Sequence, residues 1–430
     1  MGDRGQIAGA PVARVSRHHW PLALLVMALI AVAGISASAQ ARTAPDPSPG
    51  VAAADPGPKF TGLAASFLTH PQPVRGTDGR FHIAYELMLT DTVQFPLNVK
   101  RVEVRDGKTH RVLLSLDGHA LSSRMNSVAG ATTGMKPPDT TLLSPSGSAV
   151  VWLDVTVRRK ADLPDVLQHR VVASTRPPLP SGPLSSRIGR VPLRAPKPVE
   201  LGPPLRGGLW VAAEGCCDFD THHRRGLLVV NGNEVVSQRF AIDWIRMDRK
   251  HRAWVGDPAR LSSYRNYGKP LIASARGKVV SARDQFPNQP PPNNPTPPSV
   301  PDLPGNRVVL RVGPGIYLLY AHMVPGSVRV HAGERVRRGQ VLGRLGNSGN
   351  SATPHLHFQV QTTRSFLGDG LPFVFRSFRF LGQITEPVSD ENLGLQPNGK
   401  LPFARANRPG PRHGEMPLDL DVVRFPKQGH

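Results

Sequence analysis

The chain is expected to be mainly β, with an N-terminal β-sandwich-like domain followed by a second β domain. Three observations predict this. Glycine and proline number 42 and 45 among 430 residues, which spreads turns along the whole chain and leaves little room for long helices. Between residues 60 and 175, short apolar runs alternate with turn signals. Further on, His355 and His357 alternate with Leu356 and Phe358 in a run of strand-forming residues. The length accommodates two ordinary domains, and a hydrophobic content of 39% excludes disorder throughout.

Residues 1–41 carry Arg4, Arg14 and Arg17, then an apolar run from Leu22 to Ile35, then Ala37, Ser38 and Ala39. That order is the order of a secretory signal peptide, and the apolar run is shorter than the roughly 20 residues a membrane span requires. Export to the periplasm or cell exterior is expected, with cleavage after Ala39 or Ala41 and no stable membrane insertion afterwards. Residues 42–59 read as a flexible leader.

In residues 60–175 the strand candidates are 82–89, 98–104, 112–116 and 150–157, with turns at Asp106-Gly107 and Asp117-Gly118. Alternation at Val102/Val104 and at Leu153/Val155/Val157 marks half-buried strands, and several of them in so short a stretch suggest a sandwich. No grouping of acids, bases or nucleophiles occurs there, so an accessory or binding role is expected. Residues 176–208 are proline-rich and read as a linker. The second domain is expected over 209–390, interrupted by a proline-rich loop at 284–305, with 391–430 as a C-terminal tail.

The 53 Lys and Arg against 31 Asp and Glu give a formal charge of +22, which attracts polyanions of any kind. The basic residues are spread rather than clustered and aromatics are only 6% of the chain, so nucleic acid is not expected as a partner. Cys216 and Cys217 are adjacent and form neither a disulfide framework nor a CxxC metal site; no role is assigned to them.

Period two puts His355 and His357 on one face of a strand, with Leu356 and Phe358 turned into the core. Upstream lie Tyr320-Ala321-His322-Met323 and the glycine-rich Gly346-Asn347-Ser348-Gly349-Asn350-Ser351. In order and spacing this stretch resembles the lysostaphin/LytM-type zinc metallo-endopeptidases, which cut bacterial peptidoglycan. The resemblance covers about residues 209–385. It implies an antiparallel β-sheet peptidase domain in which Asp243 and His357 bind Zn2+ while His322 and His355 assist a zinc-activated water. Zinc favours about four ligands from imidazole and carboxylate, and a catalytic site keeps one position open. Free imidazoles beside it can accept a proton and steady an oxyanion.

One position departs from the family pattern. Four residues before Asp243 the family has a ligating histidine, whereas this chain has Arg239, which stays protonated and cannot ligate. The expected substitute lies in His222-His223, joined to Asp243 through a hairpin turning at Asn231-Gly232. A three-residue turn would place His223 opposite Ala241 on the face of Asp243; a two-residue turn would place His222 there. The expected metal set is His223, Asp243 and His357, with His222 as the alternative and Arg239 orienting Asp243 or meeting a substrate carboxylate.

The function expected is a secreted zinc endopeptidase acting on the peptides of peptidoglycan. A catalytically inactive module of the same type, binding peptidoglycan or activating another wall hydrolase, is the alternative that Arg239 favours. A basic envelope-binding structural protein is the third.

Overall fold

Strands dominate because apolar residues recur at period two and glycines and prolines punctuate them at short intervals. The computed structural model describes residues 60–128, 140–175, 183–194, 196–293 and 299–427. The expected signal peptide and leader lie outside the described residues. Two five-stranded antiparallel sheets form the N-terminal sandwich. One is built around Phe81–Asp91 and Ser148–Val157, the other around Leu97–Asp106 and Val166–Thr175. Tyr85, Leu87, Leu89, Val102, Val104, Val151, Leu153 and Val155 meet between them.

The sheet containing Phe81–Asp91 is buried on its outer face as well. There Met88, Val150 and Trp152 pack against Leu227 and Val236 of the second domain. This explains why residues 82–89 read as a nearly continuous apolar run: the strand has a core on both sides.

The second domain is built on a ten-stranded sheet. Its centre is Ile316–Tyr320, Leu356–Gln361, Ile242–Met247 and Leu209–Ala213, paired antiparallel in that order. Ile242, Trp244, Leu310, Leu318, Leu356, Phe358 and Val360 share one core beneath it. Among the described residues no helix is long and apolar enough to cross a membrane.

Two boundaries expected from the sequence are corrected. The supposed linker contains Leu184–Pro192, which pairs with Val166–Thr175 in the sandwich, and Val199–Leu201, which pairs in parallel with Phe373–Phe375. The supposed tail supplies Asp421–Arg424, inserted between Leu209–Ala213 and Phe378–Ile384, and the edge strand Phe403–Arg412. Prolines hid both segments. Pro409 and Pro411 are tolerated because their strand is at the sheet edge. Cys216 and Cys217 are bridged to each other.

The sandwich also buries an ionisable group that is held neutral. His169 Nδ1 donates to the Gly189 carbonyl at 2.8 Å, so Nε2 accepts the Tyr85 hydroxyl at 2.8 Å. Burial pushes its pKa down to about 4, only partly offset by the Gly189 bond. Between that value and the ordinary value of 6.5 the unfolded chain binds a proton that the folded chain does not. This contribution is therefore complete above pH 6.5 and is lost as the pH falls toward 4, at no more than about 1.4 kcal/mol per pH unit. Thermal unfolding measured from pH 7 to pH 4 is expected to show a shallower loss in His169→Gln than in the wild type; equal slopes would refute the assignment.

Candidate metal centre

The antiparallel register of the two central strands sets Asp243 directly across from His357. Their neighbours Ile242, Trp244, Leu356 and Phe358 point into the core, so both polar side chains emerge on the opposite face. Asp243 Oδ1 stands 2.9 Å from His357 Nδ1. Which of these atoms carries a proton follows from a row of amides further along the same face. Gln361 Nε2 donates both hydrogens to backbone carbonyls, of Thr363 at 2.9 Å and Ser365 at 2.7 Å. Its Oε1 must therefore accept from Gln359 Nε2 at 2.5 Å, and Gln359 Oε1 in turn accepts from His357 Nε2 at 2.8 Å. With the proton on Nε2, the Nδ1 of a neutral His357 is a bare lone pair facing a carboxylate oxygen. Two acceptors at 2.9 Å are unfavourable unless a positive charge joins them, which a metal ion or a second ring proton would supply.

His223 arrives by a different route from the one expected. The hairpin Leu227–Val230 and Asn233–Val236 turns on the two residues Asn231 and Gly232, both at positive φ. That register, continued, would have brought His222 opposite Ala241. The ladder instead ends at Leu227 and Val236, and the chain enters a helical turn, His222–Arg225, capped by Thr221. Helical geometry separates consecutive side chains by about 100°. His223 is buried against Asp243, with Nε2 3.4 Å from Oδ2, while His222 is turned outward, its side chain 43% exposed and its Nδ1 3.1 Å from Glu214. The Glu214 carbonyl accepts a hydrogen bond from His223 Nδ1 at 2.8 Å, leaving Nε2 bare, and that buried atom has no hydrogen-bond partner among the described residues. Ligating atoms of His222, His223 and Asp243 lie within 4.8 Å of one another. The bond to Glu214 raises the proton affinity of His222 against the opposing effect of burial, so of the pair His223 offers the free lone pair.

His322 and His355 complete the cluster. His322 Nδ1 donates to the Ser348 carbonyl at 2.7 Å and His355 Nδ1 to that of Thr353 at 2.8 Å, so each has a bare Nε2 when neutral. Their rings are 4.6 Å apart, and His355 Nε2 is 3.6 Å from Asp243 Oδ1. Burial, reinforced by His355 and His357, holds His322 well below the usual histidine range; burial does the same to His223. Burial opposes the charge on Asp243, but His355, His223 and His357 outweigh it and keep the carboxylate ionised. An ionised carboxylate and two bare imidazole nitrogens, one of them the unpartnered His223 Nε2, fit a divalent metal of the zinc type.

Arg239 does not perform the role expected of it. It is 1% exposed; Nε donates to both Glu86 oxygens at 3.0 Å, Nη2 to Oε2 at 2.7 Å, and Nη1 to Asp369 at 2.7 Å. These partners, from the sandwich and from the loop after His357, hold it in place of Asp243 or a substrate carboxylate. Sequence reasoning missed Glu86, Glu214, Gln359 and Gln361. The glutamines were visible as the continuation of the 355/357 alternation, and Glu86 as the lone carboxylate within residues 82–89.

Residues 263–367 match peptidase family M23. The matched stretch contains His322, His355 and His357; His223, Arg239 and Asp243 precede it. Over 116 residues the chain is 32% identical to the glycyl-glycine endopeptidase ALE-1 of Staphylococcus capitis, covering 26% of this chain and 27% of that one. Over 57 residues it is 40% identical to the DD-carboxypeptidase/endopeptidase Mpg of Neisseria meningitidis, 13% of either chain. The chain thus spans about a quarter or less of the length of these relatives. The catalytic domain of lysostaphin from Staphylococcus simulans aligns at 24% identity and a TM-score of 0.20, covering 33% of this chain and 80% of that one.

His322 depends on two loops pressed together at glycine. Gly305 and Gly349 have φ of +57° and +81°. A Cβ on Gly349 would lie 2.4 Å from the Gly305 nitrogen, and one on Gly305 would lie 2.4 Å from the Ser348 carbonyl group that supports His322. His322 itself has a φ of +59° and donates its backbone N–H to Pro304. Gly349→Ala is therefore expected to cost roughly 1–3 kcal/mol through strain and displaced backbone, read as a fall in midpoint on denaturant unfolding; an unchanged midpoint would refute this account of the loops.

Proposed function

We propose that the protein is a secreted zinc metallo-endopeptidase that hydrolyses peptide bonds of bacterial peptidoglycan. The observation that carries the reading is the convergence of His223 Nε2, the Asp243 carboxylate and His357 Nδ1, with His322 and His355 beside them. The peptidase family of residues 263–367 and the endopeptidase names of the relatives support the reaction class. Arg239 was the reason to consider an inactive module; His223 beside Asp243 supports the active reading, because three residues able to hold a metal stand together without position 239.

Zinc held by His223, Asp243 and His357 would supply Lewis acidity toward a peptide carbonyl and toward water. The remaining steps belong to side chains. His322 and His355 each fix one ring nitrogen on a backbone carbonyl and keep the other free to take a proton from the attacking water. The imidazolium so formed is a donor toward the developing oxyanion and then toward the leaving amine. Burial of all five groups, each no more than 5% exposed, keeps bulk water from screening these charges. Export follows from the reading of residues 1–41, and the net charge of +22 suits an anionic envelope.

Metal analysis of the purified mature protein, combined with release of soluble muropeptides from isolated cell walls, tests the proposal. His357→Ala and His223→Ala are expected to lose or strongly weaken zinc. His322→Ala and His355→Ala are expected to retain it while turnover drops about a hundredfold or more. Wild-type protein that neither binds zinc nor releases muropeptides would overturn the reading, and equal zinc loss in all four variants would overturn the division of roles.

A further inference from the structure

The turn that presents His223 is held from the other side by the N-terminal sandwich. Its three consecutive residues diverge: His223 faces Asp243, whereas Arg224 and Arg225 reach into the sandwich. Arg224 Nη1 donates to Glu86 Oε1 and Nη2 to the Leu153 carbonyl at 3.3 Å. Arg225 donates to Asn126 Oδ1, to the Ser123 carbonyl at 2.6 Å and to the Phe219 carbonyl at 2.7 Å. Both guanidinium groups lie within 6 Å of the Trp152 ring. Glu86 is fully buried, Arg224 is 0% and Arg239 1% exposed, and Glu86 is shared between the two arginines. Burial opposes the charge on Glu86, but the paired guanidinium groups hold its carboxyl below the usual range.

We infer that Glu86 is a positioning residue of the metal centre: the sandwich, through Glu86, Arg224 and Arg225, sets the place of His223 relative to Asp243. The inference rests on the metal site proposed above. The family position of the missing ligand is thereby explained as well. Arg239 and Arg224 close on the same carboxylate, so the arginine standing where a ligand is expected helps to dock the domain that holds the substitute in place. A buried ion triad is poor evidence for stability as such, because apolar residues of similar volume often serve equally well. Its contribution here is geometric. An error of about 1 Å in the turn would take His223 Nε2 out of range of a metal whose bonds are about 2 Å long.

The test uses the full mature chain. In E86L/R224M/R239M the triad is replaced by apolar side chains, leaving Asp369 one-quarter exposed and able to meet water. Zinc affinity is measured by chelator competition, ligand geometry by the visible spectrum of the Co2+-loaded protein, and folding by the thermal midpoint of the metal-free protein. The expected result is a midpoint close to the wild type with zinc affinity at least tenfold lower and a Co2+ spectrum altered in the manner of His223→Ala. A folded triple variant with wild-type affinity and spectrum would overturn the inference. Hydrogen exchange of the wild type supplies a readout that needs no variant: zinc should slow exchange in the turn at 219–226 and in the sandwich strand Phe81–Asp91, and protection confined to the peptidase sheet would also overturn it. Wild-type zinc affinity in His223→Ala would instead strike the metal site itself, whereas zinc lost in His223→Ala but kept in the triple variant would strike only the role of Glu86.

Discussion

A carboxylate that is 1% exposed, as Asp243 is, survives in ionised form only if positive charge or polarised hydrogen surrounds it. The second domain surrounds it with imidazoles, which meet that requirement when they are protonated or hold a cation. The register of the two central strands brings His357 across from Asp243, the turn at 222–225 brings His223, and the approach to the same strand brings His355. Each imidazole arrives with one nitrogen already committed to a backbone carbonyl or an amide, which leaves its other nitrogen for the centre. The result is a concentration of lone pairs around one negative charge, an arrangement that is unfavourable for the protein alone and favourable once a cation is present.

Much of this was legible in the residues. Short apolar runs between turn signals placed the strands 82–89 and 150–157 close to their observed extents, and period-two alternation set His355 and His357 on one face. The motif around His322 and His357 pointed to the family now matched at residues 263–367. What could not be read was long-range. The hairpin register argument selected His223 through a three-residue turn, whereas the chain makes a two-residue turn and reaches His223 through a helical turn that no alternation pattern announces. The strands at 184–192 and 421–424 were taken for linker and tail because proline and charge outweighed short apolar runs. Their pairing energy comes from partners more than ten residues away, which local propensity does not contain.

Arg239 shows how a local departure acquires its meaning from tertiary structure. In sequence it signalled a lost ligand. In the fold Arg224 and Arg239 are fully buried and share one glutamate from the other domain. The sandwich is therefore not a detachable appendage. Its outer face forms part of the wall behind the centre, with Trp152 against the two arginines and Met88 against the hairpin.

The amide row running from His357 through Gln359 and Gln361 has a direction, because it ends on backbone carbonyls that can only accept. A row of this kind has a single ground arrangement: reversing any one amide would oppose two acceptors or two donors at each junction. The carbonyls of residues 363 and 365 thus determine, through Gln361 and Gln359, which nitrogen of the His357 ring carries the lone pair. Transfer of the ring proton from Nε2 to Nδ1, easy for an isolated histidine, would here require both amides of the row to invert together. The surface loop that follows the strand consequently acts as the keeper of the ring's polarity, and a change in its backbone far from any ligand would be felt at the centre as a change of tautomer.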